Sequence, residues 1–352
     1  MPERERTVLH VLPHPGGGGE TYVDALSRMD GYRFERAYLA SGPDPAGARA
    51  SIALRAAQIQ RDPRSFDLVH VVGEVAGALC LPLLALKPSV LSPQGLHLLR
   101  RLDGIGRKAA LLNLRLLVRA ATRTVCSSRS EHAELVEAVG RGADARTLVI
   151  YNGVDSVAPT SAEEKAAARA ELGLSPTGTV GAWVAALDEH KDPLSPIHAA
   201  TRVRRDHTDV TLLVAGDGPL RAQVERAASA TDAVRPLGFR SDVERILRAS
   251  DFFVLSSRRE GLSFSLLEAM ARGLAPVVSD SPANVEAIAD AGLVVPYGDV
   301  QAFADAFALL ARDPQQRHAL GNRARERAAR HFTWEEMLRR TRALYDEIGR
   351  LR

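Results

Sequence analysis

The sequence predicts an α/β protein built from two doubly wound domains, each around a parallel sheet. Three observations lead there. Short apolar runs of strand type alternate with helical patterns along both halves of the chain. The alternation pauses near residue 152 and restarts near residue 179. At 352 residues the chain also exceeds the ~250–300 at which a single hydrophobic core usually divides.

In the first half, Thr7–Leu12, Phe34–Leu39, Asp67–Val72, Pro88–Leu91, Arg123–Cys126 and Arg146–Ile150 have the length and apolar density of buried strands. Helical spacing falls between them, most clearly at Glu20–Met29 and Ile105–Ala121. After a boundary at Asn152-Gly153-Val154-Asp155 and a polar, Pro-containing stretch, a second series follows. It comprises Thr179–Leu187, Val210–Ala215, Val234–Leu237, Phe252–Ser256, Ala275–Ser279 and Leu293–Val295. From Ala302 onward the pattern is helical, broken near Asp313-Pro314 and at Phe332-Thr333-Trp334. Thr333 with Glu336 three residues later has the spacing of a capping box for the last helix.

Composition narrows the function. No run reaches the ~18 apolar residues of a membrane helix, and the opening Met-Pro-Glu-Arg-Glu-Arg lacks a signal-peptide core. Cys80 and Cys126 lie far apart without metal-ligand spacing, as suits a reducing cytoplasm. A cytoplasmic protein is therefore expected. A net charge of +3 is too small to argue for nucleic acid. Only four of the 46 basic residues are lysine, which makes each lysine informative.

The most informative stretch sets Glu260 and Glu268 eight residues apart across a strand-to-helix junction. Such junctions bind anions in open α/β sheets, because amide N–H groups point outward there. Two acids flanking an anion site suit a phosphate that carries hydroxyl-rich groups on both sides, as a nucleotide sugar does. The N–H groups of Ser263, Phe264, Ser265 and Leu266 are the candidate diphosphate cradle, beside Gly261. Glu260 would bind sugar hydroxyls and Glu268 two ribose hydroxyls. Alternatively, Ser265 and Glu268 have capping-box spacing, which would make Glu268 structural, and Glu260 a solvated loop acid.

Lys191 follows the first strand of the second series and suits a cationic clamp on a leaving diphosphate. Gly216, in the turn Gly216-Asp217-Gly218-Pro219, would form a floor beneath the nucleotide. Phe239 and Arg240 follow another strand and would face a base. In the first half, Gly16–Gly19 before Glu20 fails as a dinucleotide fingerprint, since Thr21 stands at the third glycine position. As a loop whose glycines let the backbone approach phosphate it is sound, and a flexible turn is the alternative. The stretch Leu102–Arg123 repeats Arg115, Arg119 and Arg123 beside Leu111, Leu112, Leu114, Leu116, Leu117 and Val118. Its simplest reading is a helix packed on the sheet with a solvated basic face. Peripheral contact of this basic helix, 105–123, with the inner face of an anionic membrane, or with a phosphorylated acceptor, is the other.

Together these residues resemble the family 4 glycosyltransferases of GT-B architecture. The resemblance rests on Glu260 to Met270, Asn152 to Asp155, Gly216 to Pro219, and Gly17 to Glu20, in the family's order along the chain. It implies two Rossmann-like domains facing across a cleft: residues 1–154 for the acceptor, with helix 334–352 crossing back, and 155–333 for the donor. It also implies metal-independent, retaining transfer from a nucleotide sugar, with no cofactor. Carried over, Glu260 would contact the hexose, Glu268 the ribose and Lys191 the diphosphate; Glu260 and Lys191 would be catalytic. Gly17 and Gly18 would approach the phosphate, with Glu20, Gln94, His97 and Asn152 on the acceptor side.

Two positions depart from the family's pattern. An arginine often stands five places before the phosphate lysine, where this chain has Ala186. A histidine often stands where Gln94 is, and His97 is the nearest replacement. The expected function is hexosyl transfer from a nucleotide sugar, UDP by default, to a hydroxyl of a small-molecule, natural-product or glycolipid acceptor. The alternatives are a nucleotide-sugar-binding protein with weak or no transferase activity, and a sugar-nucleotide epimerase.

Overall fold

The computed structural model describes residues 5–40, 56–59, 65–206 and 209–350. The ends of the spans assigned above, 1–4 and 351–352, lie outside them. Among the described residues, twelve strands form two six-stranded, all-parallel sheets. The first contains β1 (Arg6–Leu12), β2 (Tyr32–Tyr38), β3 (Leu68–Val72), β4 (Ser89–Ser92), β5 (Arg123–Cys126) and β6 (Thr147–Val149), in the order β2-β1-β3-β4-β5-β6. The second contains β7 (Thr179–Val184), β8 (Val210–Ala215), β9 (Val234–Gly238), β10 (Phe252–Leu255), β11 (Ala275–Ser279) and β12 (Leu293–Val295), in the order β12-β11-β10-β7-β8-β9.

Each expected strand is present, with shifted ends that have local causes. β2 starts two residues before Phe34, at Tyr32. β6 is shortened by the 3-10 turn Arg141–Arg146. β7 stops at Val184, and four residues later Asp188 accepts the N–H groups of His190 and Lys191 (2.9 and 3.0 Å), curling the chain into a turn. The inner strands β3, β10 and β11 are buried throughout because both faces of a parallel sheet are covered by helices, whereas the edge strand β2 carries Arg33, Glu35 and Arg36.

Two compact units result: residues 1–152 with 334–352, and 153–333. In the first, Val11, Val69, Val71, Leu91 and Leu117 are core residues. In the second, Trp183, Phe252, Phe303 and Phe307 fill the centre.

The last helix, Trp334–Arg350, belongs to the first unit and buries Met337, Thr341, Leu344, Tyr345 and Ile348. Tyr345 reaches a buried pair of histidines that face each other on β1 and β3. Its hydroxyl lies 2.6 Å from His70 Nδ1 and 3.3 Å from His10 Nε2. His70 Nε2 continues to Ser92 Oγ at 2.8 Å. Burial lowers both histidines, His70 to about 3 and His10 well below its ordinary value, so both rings are neutral at pH 7.

Candidate functional site

In the second unit the chain winds outward from β7 through β8 and β9, then returns to the other side of β7 at β10. The loops after β7 and β10 therefore flank the point where strand order reverses, which is where open α/β sheets bind ligands. Lys191 comes from the first of these loops and Glu260 from the second. Lys191 Nζ donates to Glu260 Oε1 at 2.6 Å, with Glu260 almost fully buried.

The pair is held by the strands beneath it. Trp183 Nε1, on β7, donates to Ser256 Oγ at 2.9 Å. The Ser256 hydroxyl lies 2.8 and 2.7 Å from the carbonyl oxygens of Lys191 and Asp192. The Arg258 N–H donates to the His190 carbonyl at 2.8 Å, tying loop to loop. Asp192 has a left-handed φ of 46°, unusual without glycine, and accepts Ser195 N–H through Oδ1 at 3.2 Å. Ala186 stands where an arginine was expected, and Lys191 meets Glu260; the Arg258 guanidinium lies over the Tyr297 ring, 6.0 Å from its centroid.

Four residues on from Glu260, the helix Phe264–Ala271 begins after Ser263, not Ser265, and no side chain caps it. The capping box spaced at Ser265 and Glu268 is therefore not formed. Ser263 and Ser265 hydroxyls meet each other at 3.1 Å. The first turn directs the Phe264, Ser265 and Leu266 amides out of the helix end, where partial positive charge gathers. Glu268 lies one turn further, partly buried, and its carboxyl accepts no hydrogen bond from the described residues. Burial pushes it up to about 7; Arg272 opposes that and the Asp155 charge adds to it.

Gly216 has a structural reason. Its φ is 152°, and a Cβ there would run into the Ala185 carbonyl oxygen. The turn after β8 thus packs directly beneath the Lys191 loop, with Leu187 N–H donating to the Asp217 carbonyl at 2.9 Å. Phe239, at the end of β9, is 77% exposed. Arg240 is engaged by Asp242 through two bonds of 2.7 and 2.5 Å.

In the first unit, strand order reverses between β1 and β3. The loop after β1 carries Gly17 in a left-handed conformation, φ 75°, opening the helix Gly18–Leu26. Glu20 is used within this loop: it accepts the Gly16 N–H and, at 2.7 Å, the Tyr38 hydroxyl. The Tyr38 bond is the main reason its carboxyl lies below the ordinary range.

After β4, Gln94, Gly95 and Leu96 are all left-handed, with φ of 57°, 120° and 49°. Two buried glutamates that the sequence reading did not single out support this turn. Glu131 accepts Gly95 N–H at 2.5 Å and Ser127 N–H and Oγ at 2.6 and 2.7 Å. Glu74 accepts Leu98 N–H at 2.7 Å through Oε2, while its buried Oε1 has no partner among the described residues. Burial pushes Glu74 up to about 7, against the Leu98 N–H and with the Glu131 charge. Gly73-Glu74 directly after a strand was the available signal; Glu131 gave none, being one acid in an ordinary helix. His97 starts the next helix and is exposed, and Asn152 is buried at the end of the unit.

The helix Gly104–Ala120 corrects the expected apolar face. Ala110, Leu114, Leu117 and Val118 are buried, but Leu112 and Leu116 point outward with Ile105. The buried set repeats every three to four residues along one face, and Leu112 and Leu116 fall on the other.

Among the described residues no helix is long and apolar enough to cross a membrane.

Comparisons with known proteins fit this architecture. Residues 6–157 match the family model "Glycosyltransferase Family 4", and residues 164–327 match "Glycosyl transferases group 1". A D-inositol 3-phosphate glycosyltransferase from Saccharomonospora viridis is 34% identical over 250 residues, covering 65% of this chain and 56% of that protein. A GDP-mannose-dependent monoacylated alpha-(1-6)-phosphatidylinositol monomannoside mannosyltransferase from Corynebacterium glutamicum is 31% identical over 201 residues, covering 53% of this chain and 52% of that protein. The chain thus spans about half the length of these curated relatives. The crystal structure of Anabaena HepE in complex with UDP and glucose superposes with a TM-score of 0.82 at 20% identity, covering 97% of this chain and 100% of that one. The fold is GT-B, with two Rossmann-like domains. The chain belongs to the family 4 glycosyltransferases.

Proposed function

We propose that the protein is a retaining, metal-independent glycosyltransferase. It moves a hexose-type sugar from a nucleotide sugar, UDP-linked, to a hydroxyl of a small-molecule, natural-product or glycolipid acceptor. The observation that carries this reading is the Lys191–Glu260 pair at the strand-order reversal, next to the uncapped start of the helix Phe264–Ala271.

Glu260 accepts a hydrogen bond from one of the three ammonium N–H groups of Lys191, so the others can meet a diphosphate oxygen while Glu260 orients sugar hydroxyls. As the anomeric C–O bond to the diphosphate breaks, negative charge grows on the departing oxygen. Lys191 and the amides of Phe264, Ser265 and Leu266 face that charge. The acceptor hydroxyl forms the new bond on the same face, and its proton passes to the leaving diphosphate. Glu268 accepts the two ribose hydroxyls, and Phe239, exposed after β9, offers a ring face to the base. The first unit presents the acceptor, with Gly17 and Gly18 approaching phosphate and Gln94 and His97 facing the acceptor hydroxyls.

A thermal-shift screen with UDP-, GDP-, ADP- and TDP-sugars, followed by donor-hydrolysis and transfer assays, tests this. A shift with one nucleotide series, and turnover that falls with Lys191→Ala and Glu260→Ala, is the expected result. Binding without hydrolysis or transfer across an acceptor panel would instead support a nucleotide-sugar-binding protein, the reading that Ala186 and Gln94 favour. No shift with any nucleotide sugar sinks both.

A further inference from the structure

The helix Gly104–Ala120 carries two parallel stripes on its outward face. Ile105, Leu112 and Leu116 are spaced by seven and four residues, and Lys108, Arg115 and Arg119 repeat that spacing. At ~100° per residue each trio falls within about 40° of arc, and the two trios adjoin. Ile105 is 86% exposed, Leu112 59% and Leu116 46%. The apolar line runs about 16 Å along the helix, at ~1.5 Å per residue. The helix has four basic residues and no acidic one. Leu102, just before it, and Leu86, on a neighbouring helix that packs against it, are also exposed.

Core packing does not explain this face, because Ala110, Leu114, Leu117 and Val118 already supply the buried one. A solvated helix normally puts polar groups on its outermost line. Single exposed leucines are ordinary, but an apolar line bordered by a line of cations is the pattern of a helix lying in a membrane interface. Self-association fits poorly: a twofold contact places the same patch on both partners, and here it would bring like charges together.

We propose that this face docks the first unit on an anionic lipid bilayer. Ile105, Leu112 and Leu116 enter the boundary between headgroups and acyl chains, and Lys108, Arg115 and Arg119 meet the lipid phosphates. The inference does not depend on the transferase reading, since binding is read without any sugar donor.

The test is co-sedimentation of the full chain with vesicles of phosphatidylglycerol mixed with phosphatidylcholine, against phosphatidylcholine alone. The expected result is binding to the anionic vesicles that falls with added salt. Changing Lys108, Arg115 and Arg119 together to Gln should weaken it on the order of 100-fold. The triple change Ile105→Ser, Leu112→Ser, Leu116→Ser should also release the protein. All six side chains point outward, and an unchanged melting temperature confirms that the variants fold. Wild-type protein left in the supernatant, or bound equally by both vesicle types, overturns the proposal. So does a wild-type dimer in sedimentation velocity that the apolar triple change dissolves, since the face would then be a contact between copies.

Discussion

Lys191 Nζ and Glu260 Oε1 meet at 2.6 Å although 69 residues separate them in the chain. Each comes from the loop after a central strand, β7 or β10, and those strands are hydrogen-bonded neighbours. Strand pairing therefore determines which cation meets which carboxylate.

The pair should behave as one unit. Lys191→Ala and Glu260→Ala are each expected to lower kcat/KM for transfer by on the order of 10²-fold or more. The double variant should lose much less than the product of the two, because directly contacting groups couple. Steady-state kinetics on all four proteins check this; strictly multiplicative losses would show that the contact has no catalytic meaning.

Glu268 makes nucleotide binding and stability respond oppositely to pH. Its carboxyl is raised to about 7 in the folded protein, so the folded state favours the protonated form. That contribution is fully present below the unfolded value of about 4.5 and is lost as pH rises through 7, amounting to at most about 3 kcal/mol. Ribose hydroxyls need the carboxylate as acceptor, so UDP affinity should rise between pH 6 and 8, about that folded value. Titration calorimetry across this range is the measurement. Glu268→Gln should flatten both trends, and a wild-type affinity that does not change with pH contradicts the ribose role.

The histidines beneath the last helix predict acid sensitivity of the first unit. Both are lowered, His70 to about 3, so their contribution is present above the unfolded value of about 6.5 and is lost as pH falls from there toward 3. Amide exchange in β1, β3 and the helix Trp334–Arg350 should accelerate through that window, ahead of the second unit. Replacing both histidines by Gln should shift or remove the acid transition. Equal acid responses in the two units would exclude this cause.

Gly216→Ala should destabilise the second unit by about 2–4 kcal/mol, because the added methyl meets the Ala185 carbonyl oxygen in a backbone conformation that disfavours a side chain. The turn lies directly beneath the Lys191 loop, so donor affinity should fall with stability. Denaturant unfolding and a nucleotide titration read the two effects; unchanged stability would mean the loop yields freely.

Much of this was legible from residues alone. Val69, Val71, Phe252 and Val254 sit in short apolar runs whose period and punctuation specify parallel strands, and the restart near residue 179 marks a second sheet. The stretch from Glu260 to Glu268 showed a strand-to-helix junction with an acid at each end. These are local properties, encoded within a few residues.

Other features depend on which segments come together. Capping-box spacing at Ser265 left Glu268 ambiguous until the helix began after Ser263 instead. Glu74 follows a strand end, a signal of position only, and Glu131 is one acid in an ordinary helix; the left-handed Gln94–Leu96 turn they support lies far from both in sequence. Leu112 and Leu116 looked like core residues, since periodicity identifies an amphipathic helix without saying how wide its buried stripe is. The sequence by itself determined strand content, helix periodicity and the two-sheet division, because backbone propensity and apolar spacing act over short range. Only the tertiary structure decided that Lys191 pairs with Glu260, that Tyr345 bridges two histidines, and that one helix turns an apolar line outward, because pairing and burial depend on long-range packing.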